Sequence, residues 1–357
     1  MKVIRVNDIQ SLVYHNLDVH GMRLFENARD MGNGDKVISA VIVGLGKYGV
    51  EMTKALTWFC QMDGFKLKIN AFDIDENARG HFENMCPDLM SKSLNGQDIP
   101  GEAYYEINIH GGVDIKSPAF VDALSKIKDA TYIFVSLGSD AENLSAAVEI
   151  RSLCERVSFK GDHHKPDIET VIYDSEVAKT MGIKWDNDNT SEISEGVCNF
   201  KKKPYKIHMI GSLDELYSVG TILDSETVKK AEEANTKHAE CVYEEALKEI
   251  SDLPGSEDSE EKKDIEKKKK EDIQAFYKFE YNYRSSVARV IHEKKCKELN
   301  LKNPELEHKR WNAYMRTEGY RFSGSKNEAS RNDLAKLHHN LVPFSELDNE
   351  IDVPKDN

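Results

Sequence analysis

The sequence predicts an α/β protein built on a doubly wound parallel sheet, followed by a small, mostly helical region. Three observations carry this. Apolar, β-branched runs alternate with helix-period stretches between residues 36 and about 220. The first run opens into a glycine-spaced turn, Gly44-x-Gly46-x-x-Gly49, and the second ends on an acid, Asp73. From residue 225 the alternation stops, and long stretches rich in Ala, Glu and Lys replace it.

Residues 1–35 form a lead-in, with a short strand expected at 3–6 and either a strand or a helix at 11–25. Glycines 32 and 34 mark a turn before the first core strand, 37–43. The turn that follows has a specific physical logic. Gly44 permits a tight bend, Gly46 lets the backbone approach a pyrophosphate, and Gly49 lets the next helix pack closely on the sheet. That helix places Met52, Ala55, Leu56, Phe59 and Cys60 on one face and is expected to stop at Gly64. A second strand, 67–72, runs into the FDID stretch at 72–75. Then come a helix at 76–85, a strand at 104–110, and a helix at 118–127 with Pro118 near its start. The fourth strand, 131–137, leads into Gly138, Ser139 and Asp140, and a helix follows at 142–157. Strands at 169–173 and 205–210 complete the pattern.

In such sheets ligands sit at the carboxyl ends of the strands, near the point where strand order reverses. The glycine turn, Asp73 and the 138–140 tip all fall there. A helix N-terminus offers unpaired N–H groups to phosphates, and Asp73 is placed to accept from a ribose diol. The candidate cofactor-binding residues are therefore Gly44, Gly46, Lys47, Tyr48, Gly49, Asp73, Asp75, Gly138 and Asp140. Lys47 and Tyr48 are expected to be exposed at the mouth. Asp140 and Asn143 have two readings, nucleotide contact or helix cap. The expected cofactor is NAD or another adenine nucleotide.

The second half reads as helix. A long stretch at 226–250 precedes PGSEDSEEKKDIEKKKKED, which is too polar to bury much and is expected to be a solvated linker or exposed helix. Helices are expected at 276–299, from Pro304 to the stop at Gly319, and at 331–338. The domain reading is a lead-in (1–35), a nucleotide-binding domain (36–224), a charged linker (225–275) and a helical domain (276–357).

The 357 residues carry 49 Lys and Arg against 63 Asp and Glu, for a formal charge of −14, which argues against a dedicated nucleic-acid binder. Six scattered cysteines without a CxxC pair suggest a reduced compartment and no structural zinc site. His163 and His164 lie in a polar loop, GDHHKPD, and are expected to be exposed rather than metal-bound. No run approaches a membrane span, and the N-terminus has no signal-peptide core. A cytoplasmic location follows, with any membrane role requiring a membrane-protein effector as partner.

Residues 41–49 (VIVGLGKYG), 72–75 (FDID) and 135–144 (VSLGSDAENL) resemble the RCK-like Rossmann domains that regulate potassium transport. That resemblance implies a pyrophosphate on Gly44, Gly46 and Gly49, a ribose on Asp73, and a homodimer. Residues 305–322 (ELEHKRWNAYMRTEGYRF) and 331–347 (RNDLAKLHHNLVPFSEL) resemble the ryanodine-receptor (RyR) repeat, with Tyr320 standing where that family often has Trp. Bacterial proteins that pair these two modules look like nucleotide sensors, some of them suspected in phage defence.

Within the repeat, Arg310, Arg331, Lys336 and His338 interleave with Trp311, Tyr314 and Tyr320. Cations and aromatic faces together suit a nucleotide pocket. The competing reading makes the aromatics core and pairs the cations with Glu307 and Glu318. No catalytic triad or paired-carboxylate set stands out, so the sequence favours a cytosolic nucleotide sensor over an enzyme. The alternatives are an NAD(P)-dependent oxidoreductase and an interaction module with an empty Rossmann site.

Overall fold

The computed structural model describes residues 7–32, 34–91, 105–157, 165–180, 206–222, 225–251, 260–301 and 303–347. The strand expected at 3–6, the His163–His164 pair and the most polar part of the linker (254–259) lie outside these. The chain enters through helices α1 (Asp8–His20) and α2 (Met22–Glu26), and α1 is capped by the Asn7 side chain. The lead-in is therefore helical where the sequence left strand and helix open. A two-residue strand, β1 (Arg29–Asp30), then turns the chain into β2 (Lys36–Val43), which is buried from its second residue onward.

Helix α3 (Lys47–Phe59) returns the chain to β3 (Phe65–Phe72). It ends four residues earlier than expected, because Cys60 is its C-cap and Gly64, at φ +79°, instead bends the chain into β3. Helices α4 (Ala78–Met85) and α5 (Pro87–Ser91) precede β4 (Tyr105–His110). Helix α6 (Pro118–Lys126) starts at a Ser117 cap, as its Pro predicts, and leads to β5 (Tyr132–Val135). Helix α7 (Asp140–Val157), β6 (Asp167–Val171), α8 (Ser175–Thr180) and β7 (Ile207–Ile210) complete the alternation.

The sheet runs β4-β3-β2-β5-β6-β7, all parallel, and β1 adds antiparallel to the start of β2. This is a Rossmann-like order. Strand β2 is buried on both faces, as its unbroken apolar run requires. Ile38, Ala40 and Ile42 share one core with α1 and α3, while Val41 and Val43 belong to a second core with Phe120, Ala146 and Ile150. Register keeps the carboxyl ends flush: Val43 pairs with Phe72 and Val135, and Phe72 pairs with His110. Four strand tips therefore meet along one edge.

Short helices α9 (Leu213–Leu216) and α10 (Val219–Ile222) lead into a mainly helical C-terminal region. Its first part is a helical hairpin, α11 (Ser225–Ser251) with α12 (Glu260–Lys278). The Tyr243 hydroxyl donates to Asp272 at 2.6 Å and that of Tyr277 to Glu232 at 2.7 Å. The lysine-rich face of α12 stays exposed. Phe279 interrupts the helix expected at 276–299 and starts α13 (Glu280–Glu298). Helix α14 (Pro304–Thr317) ends before Gly319, at φ +85°.

No helix forms at 331–338. That segment is a turn followed by β9 (Leu337–His338), paired with β8 (Arg321–Phe322). Asn332 accepts from the Ala335 N–H, and Lys336 sits at φ +53°, a left-handed conformation that no helix accommodates.

Helices α13 and α14 lie against α3 and α1 and extend the same core. Trp58 on α3 packs edge-on to both Tyr14 of α1 and Tyr314 of α14, at 5.0 and 6.5 Å between ring centroids. His292 contacts the Gln61 carbonyl at 2.8 Å, and Arg316 pairs with Asp88 at 3.3 Å. Helix α3 is thus buried on both sides, which explains why Thr53, Thr57 and Trp58 are inaccessible on what would otherwise be an outer face.

One buried acid stands out in the sheet. Glu169 on β6 is enclosed and accepts from the Tyr132 hydroxyl, and burial pushes its carboxyl up to about 8. The folded state therefore holds a proton that the unfolded chain releases above pH ~4.5, so stability falls as pH rises from there to about 8. Glu169→Gln is expected to flatten this slope and to gain about 3 kcal/mol over the wild type at pH 8 relative to pH 5. Urea melts at the two pH values measure it.

Candidate functional site

The site is assembled from the tips of β2, β3, β4 and β5. Gly44 sits at φ +92°, its N–H bonded to the Phe72 carbonyl at 2.8 Å, and a Cβ there would meet the Ser136 carbonyl oxygen at 2.3 Å. Gly49 faces back onto this turn, and its Cβ would lie 1.9 Å from the Gly44 oxygen. Both are glycine because the chain itself leaves no room. Gly46 differs. It caps α3 at φ −66° and ψ −169°, a conformation open to any residue, and no atom of the described residues lies within 4 Å of a Cβ built on it. No side chain caps α3, so its first-turn N–H groups face the space in front of Gly46.

Asp73 closes the turn from the neighbouring strand. One carboxylate oxygen accepts from the Leu45 N–H at 2.6 Å and the other from the Asp75 N–H at 2.8 Å. It thus holds the glycine turn against β3, and the remaining lone pairs are what it can offer a diol. Asp75 accepts from the Asn77 N–H at 2.9 Å and pairs with His81 at 3.0 Å. Between these two acids Ile74 stands 71% exposed, an apolar surface at the tip of β3.

The other tips are tied down by side chains. Asp140 accepts from the N–H groups of Tyr173 and Asp174, both at 2.8 Å. Asn143 accepts from the Leu137 N–H and donates to the Val171 carbonyl at 2.7 Å. Ser139, not Asp140, caps α7, its hydroxyl accepting from Glu142. Of the two readings of Asp140 and Asn143 the helix cap therefore falls to Ser139, and both side chains join the tips of β5 and β6. Gly138, at φ +104°, has open space before it.

Tyr48 is not exposed at the mouth. It is 8% exposed and packs edge-on to Tyr173 at 5.9 Å. Burial pushes its phenol well above the ordinary range, and Tyr173 adds to the shift. The reason is the half-turn spacing from Gly46: residue 48 points inward toward the loop after β6, whereas Lys47 points out and is exposed. Asp140, Tyr173 and Tyr48 therefore link the β5 tip to the start of α3.

Sequence reasoning missed the β4 tip. His110 stacks on Phe72 at 4.7 Å, and burial lowers its pKa. Gly111 lies so close to the β3 loop that a Cβ would meet the Asp75 and Glu76 carbonyls at 2.7 Å. The signal was present as His110-Gly111-Gly112, a paired-glycine turn directly after a strand.

The C-terminal candidates fall into two groups. Arg310, 1% exposed, binds Glu307 through two N–H groups at 2.8 Å, and Tyr314 is fully buried against Trp58. Trp311 is half-buried between His308 and His338, and His338 is itself buried. Nearer the surface Lys336 lies 5.5 Å over the Tyr320 ring and donates to the Glu318 carbonyl, while Arg331 pairs with Asp333 at 3.2 Å and reaches Tyr281. Arg310 and Arg331 thus point to different places.

Among the described residues no three His, Cys, Asp or Glu side chains converge on one point, and no helix is long and apolar enough to cross a membrane. Compared with known proteins, the chain matches no family model, no curated protein and no solved structure.

Proposed function

We propose that this chain is a nucleotide-binding sensor or regulatory protein whose ligand, an adenine nucleotide, dinucleotide such as NAD, or nucleotide-derived signal, sits on the glycine turn. Gly46 carries the reading. Gly44 and Gly49 are demanded by neighbouring backbone, but nothing among the described residues demands a glycine at 46. A residue kept bare beside an uncapped helix N-terminus suits a phosphate approaching from outside. Lys47 points the same way. A cation in the first turn opposes the helix dipole, and a bound anion reverses that penalty. Ile74 offers an apolar surface for a base, and Asp73 beside it retains acceptor capacity for a ribose.

The helical region supports sensing over hydride transfer. It is seated on α3, the helix whose N-terminus would hold the phosphate, through Trp58 and Tyr314. A ligand that favours one position of α3 therefore biases the outer helices, which is how binding without chemistry transmits a signal. The resemblance of 305–347 to the RyR repeat fits a second recognition surface there, and that to RCK-like domains fits a homodimer.

Gly46→Asp tests the site. Asp is an excellent N-cap, so the unliganded variant is expected to melt at or slightly above the wild-type temperature. Its carboxylate would occupy the phosphate position. In a thermal-shift panel of NAD, ADP, ATP and ADP-ribose, a ligand at 100 times its Kd stabilises the wild type by about 2.7 kcal/mol. The variant is expected to lose that shift. Full retention in the variant would move the ligand elsewhere, and a wild type that responds to no nucleotide would end the proposal.

A further inference from the structure

A cluster of soft donors lies where the outer helices meet the Rossmann layer, at the opposite end of α3 from the glycine turn. Cys296 Sγ on α13 is 3.5 Å from Met62 Sδ, in the loop after α3. It is also 3.5 Å from His292 Nδ1, one turn earlier on α13. Met62 and His292 are buried, whereas Cys296 is half-buried.

We infer that these three side chains form a binding site for one Cu(I) ion. Donor chemistry comes first. A thiolate, a thioether and an imidazole together favour Cu(I). Zinc instead takes four ligands, drawn from Cys, His, Asp and Glu. Among the described residues no three of those converge on one point. Geometry comes second. In a three-coordinate site, bonds of about 2.3 Å to sulfur and about 2.0 Å to nitrogen put adjacent donors about 3.7–4.0 Å apart. The two 3.5 Å separations fall short of that by about half an ångström or less.

The histidine is what sets this cluster apart from ordinary packing. The Gln61 carbonyl, 2.8 Å from His292 Nε2, can only accept, so Nε2 carries the ring proton. Nδ1 then presents its lone pair toward Cys296. A ring N–H held by a backbone carbonyl is the usual support of a metal-bound histidine. Charge fits as well. Binding forms a Cu–S bond, breaks the S–H bond and releases the thiol proton to solvent. The ion and the thiolate together are then neutral, which suits the edge of the apolar core against which Cys296, Leu299 and Leu301 pack. Half-buried Cys296 gives the ion its way in.

The site does not depend on a ligand at the glycine turn. Anaerobic titration of the full, reduced chain with Cu(I) against a chromogenic Cu(I) chelator tests it. One equivalent per chain is expected to be held against the chelator. Met62→Leu, which keeps the side-chain volume, is expected to weaken that binding at least tenfold. Cys296→Ser is expected to abolish it. Cys241→Ser, which removes another half-buried thiol, on α11, is expected to leave it unchanged. X-ray absorption on the copper-loaded wild type needs no variant to fold, and two sulfur neighbours with one nitrogen are expected. A chain that retains no copper overturns the inference. So does binding that survives Met62→Leu or Cys296→Ser at full strength, or is lost in Cys241→Ser. Sulfur neighbours alone would overturn it too, since they mark capture by cysteines at large.

Discussion

Gly49→Ala is expected to destabilise the protein by about 3 kcal/mol or more, whereas Gly46→Ala, three residues earlier in the same turn, is expected to stay within about 0.5 kcal/mol of wild type. The added methyl at 49 would lie 1.9 Å from the Gly44 oxygen and 2.9 Å from its carbonyl carbon, both backbone atoms that no rotamer change can move. Relief requires α3 to lift off β2, and α3 is held on its far side by Trp58 against Tyr14 and Tyr314. The strain therefore spreads into both packed layers. At 46 the methyl enters open space in an ordinary backbone conformation. Urea unfolding of the two variants side by side measures the difference. Equal stabilities would mean that the helix is not seated as closely as described, and that glycine at 49 serves something other than packing.

Removing one half of the Glu307–Arg310 pair should be similarly severe. Burial alone would raise the Glu307 carboxyl, but Arg310, with Arg289 at 3.8 Å, overcomes this and holds it below its ordinary range. Arg310→Met leaves a buried carboxylate short of its main counter-ion, with an expected loss of about 3 kcal/mol at pH 7. The sign of the pH dependence then distinguishes the two proteins. In the wild type, the pair's contribution is present above the unfolded carboxylate pKa and disappears as pH falls through the lower, folded value. In Arg310→Met the acid is no longer held down, so protonation removes the buried charge and the deficit relative to wild type should shrink between pH 7 and pH 5. The double variant Glu307→Leu with Arg310→Met, which replaces the pair by apolar groups, should recover most of the loss. If Arg310 instead served to clamp a ligand phosphate, its removal would abolish binding while leaving the unliganded protein nearly as stable as before.

The Rossmann-like part was legible because its signals are local. A strand buried on both faces must be apolar throughout, and β2 is; a helix start after a tight turn needs Gly44, and φ +92° is found there. Proline and serine at the start of α6, and Pro304 with Asn303 at the start of α14, likewise state their helix boundaries within a few residues. Errors arose where distant partners decide. Residues 331–338 look helical by composition, yet pairing with Arg321 and Phe322 draws them into a turn and short strand. Tyr48 looks exposed until Tyr173, 125 positions later, covers it.

By itself, then, the sequence determined the order of strands and helices and the positions of Gly44, Gly49 and Asp73, since period and backbone conformation are properties of short stretches. Only the tertiary structure decided that Gly44 and Gly49 answer to neighbouring backbone while Gly46 does not, because a Cβ clash depends on what the fold brings within 4 Å. It also decided that Arg310 belongs to a buried ion pair and that α1 meets α13. The meeting of α1 with α13 joins residues more than two hundred positions apart, and the burial of the local Glu307–Arg310 pair depends on what the fold packs around it, so no local pattern encodes either.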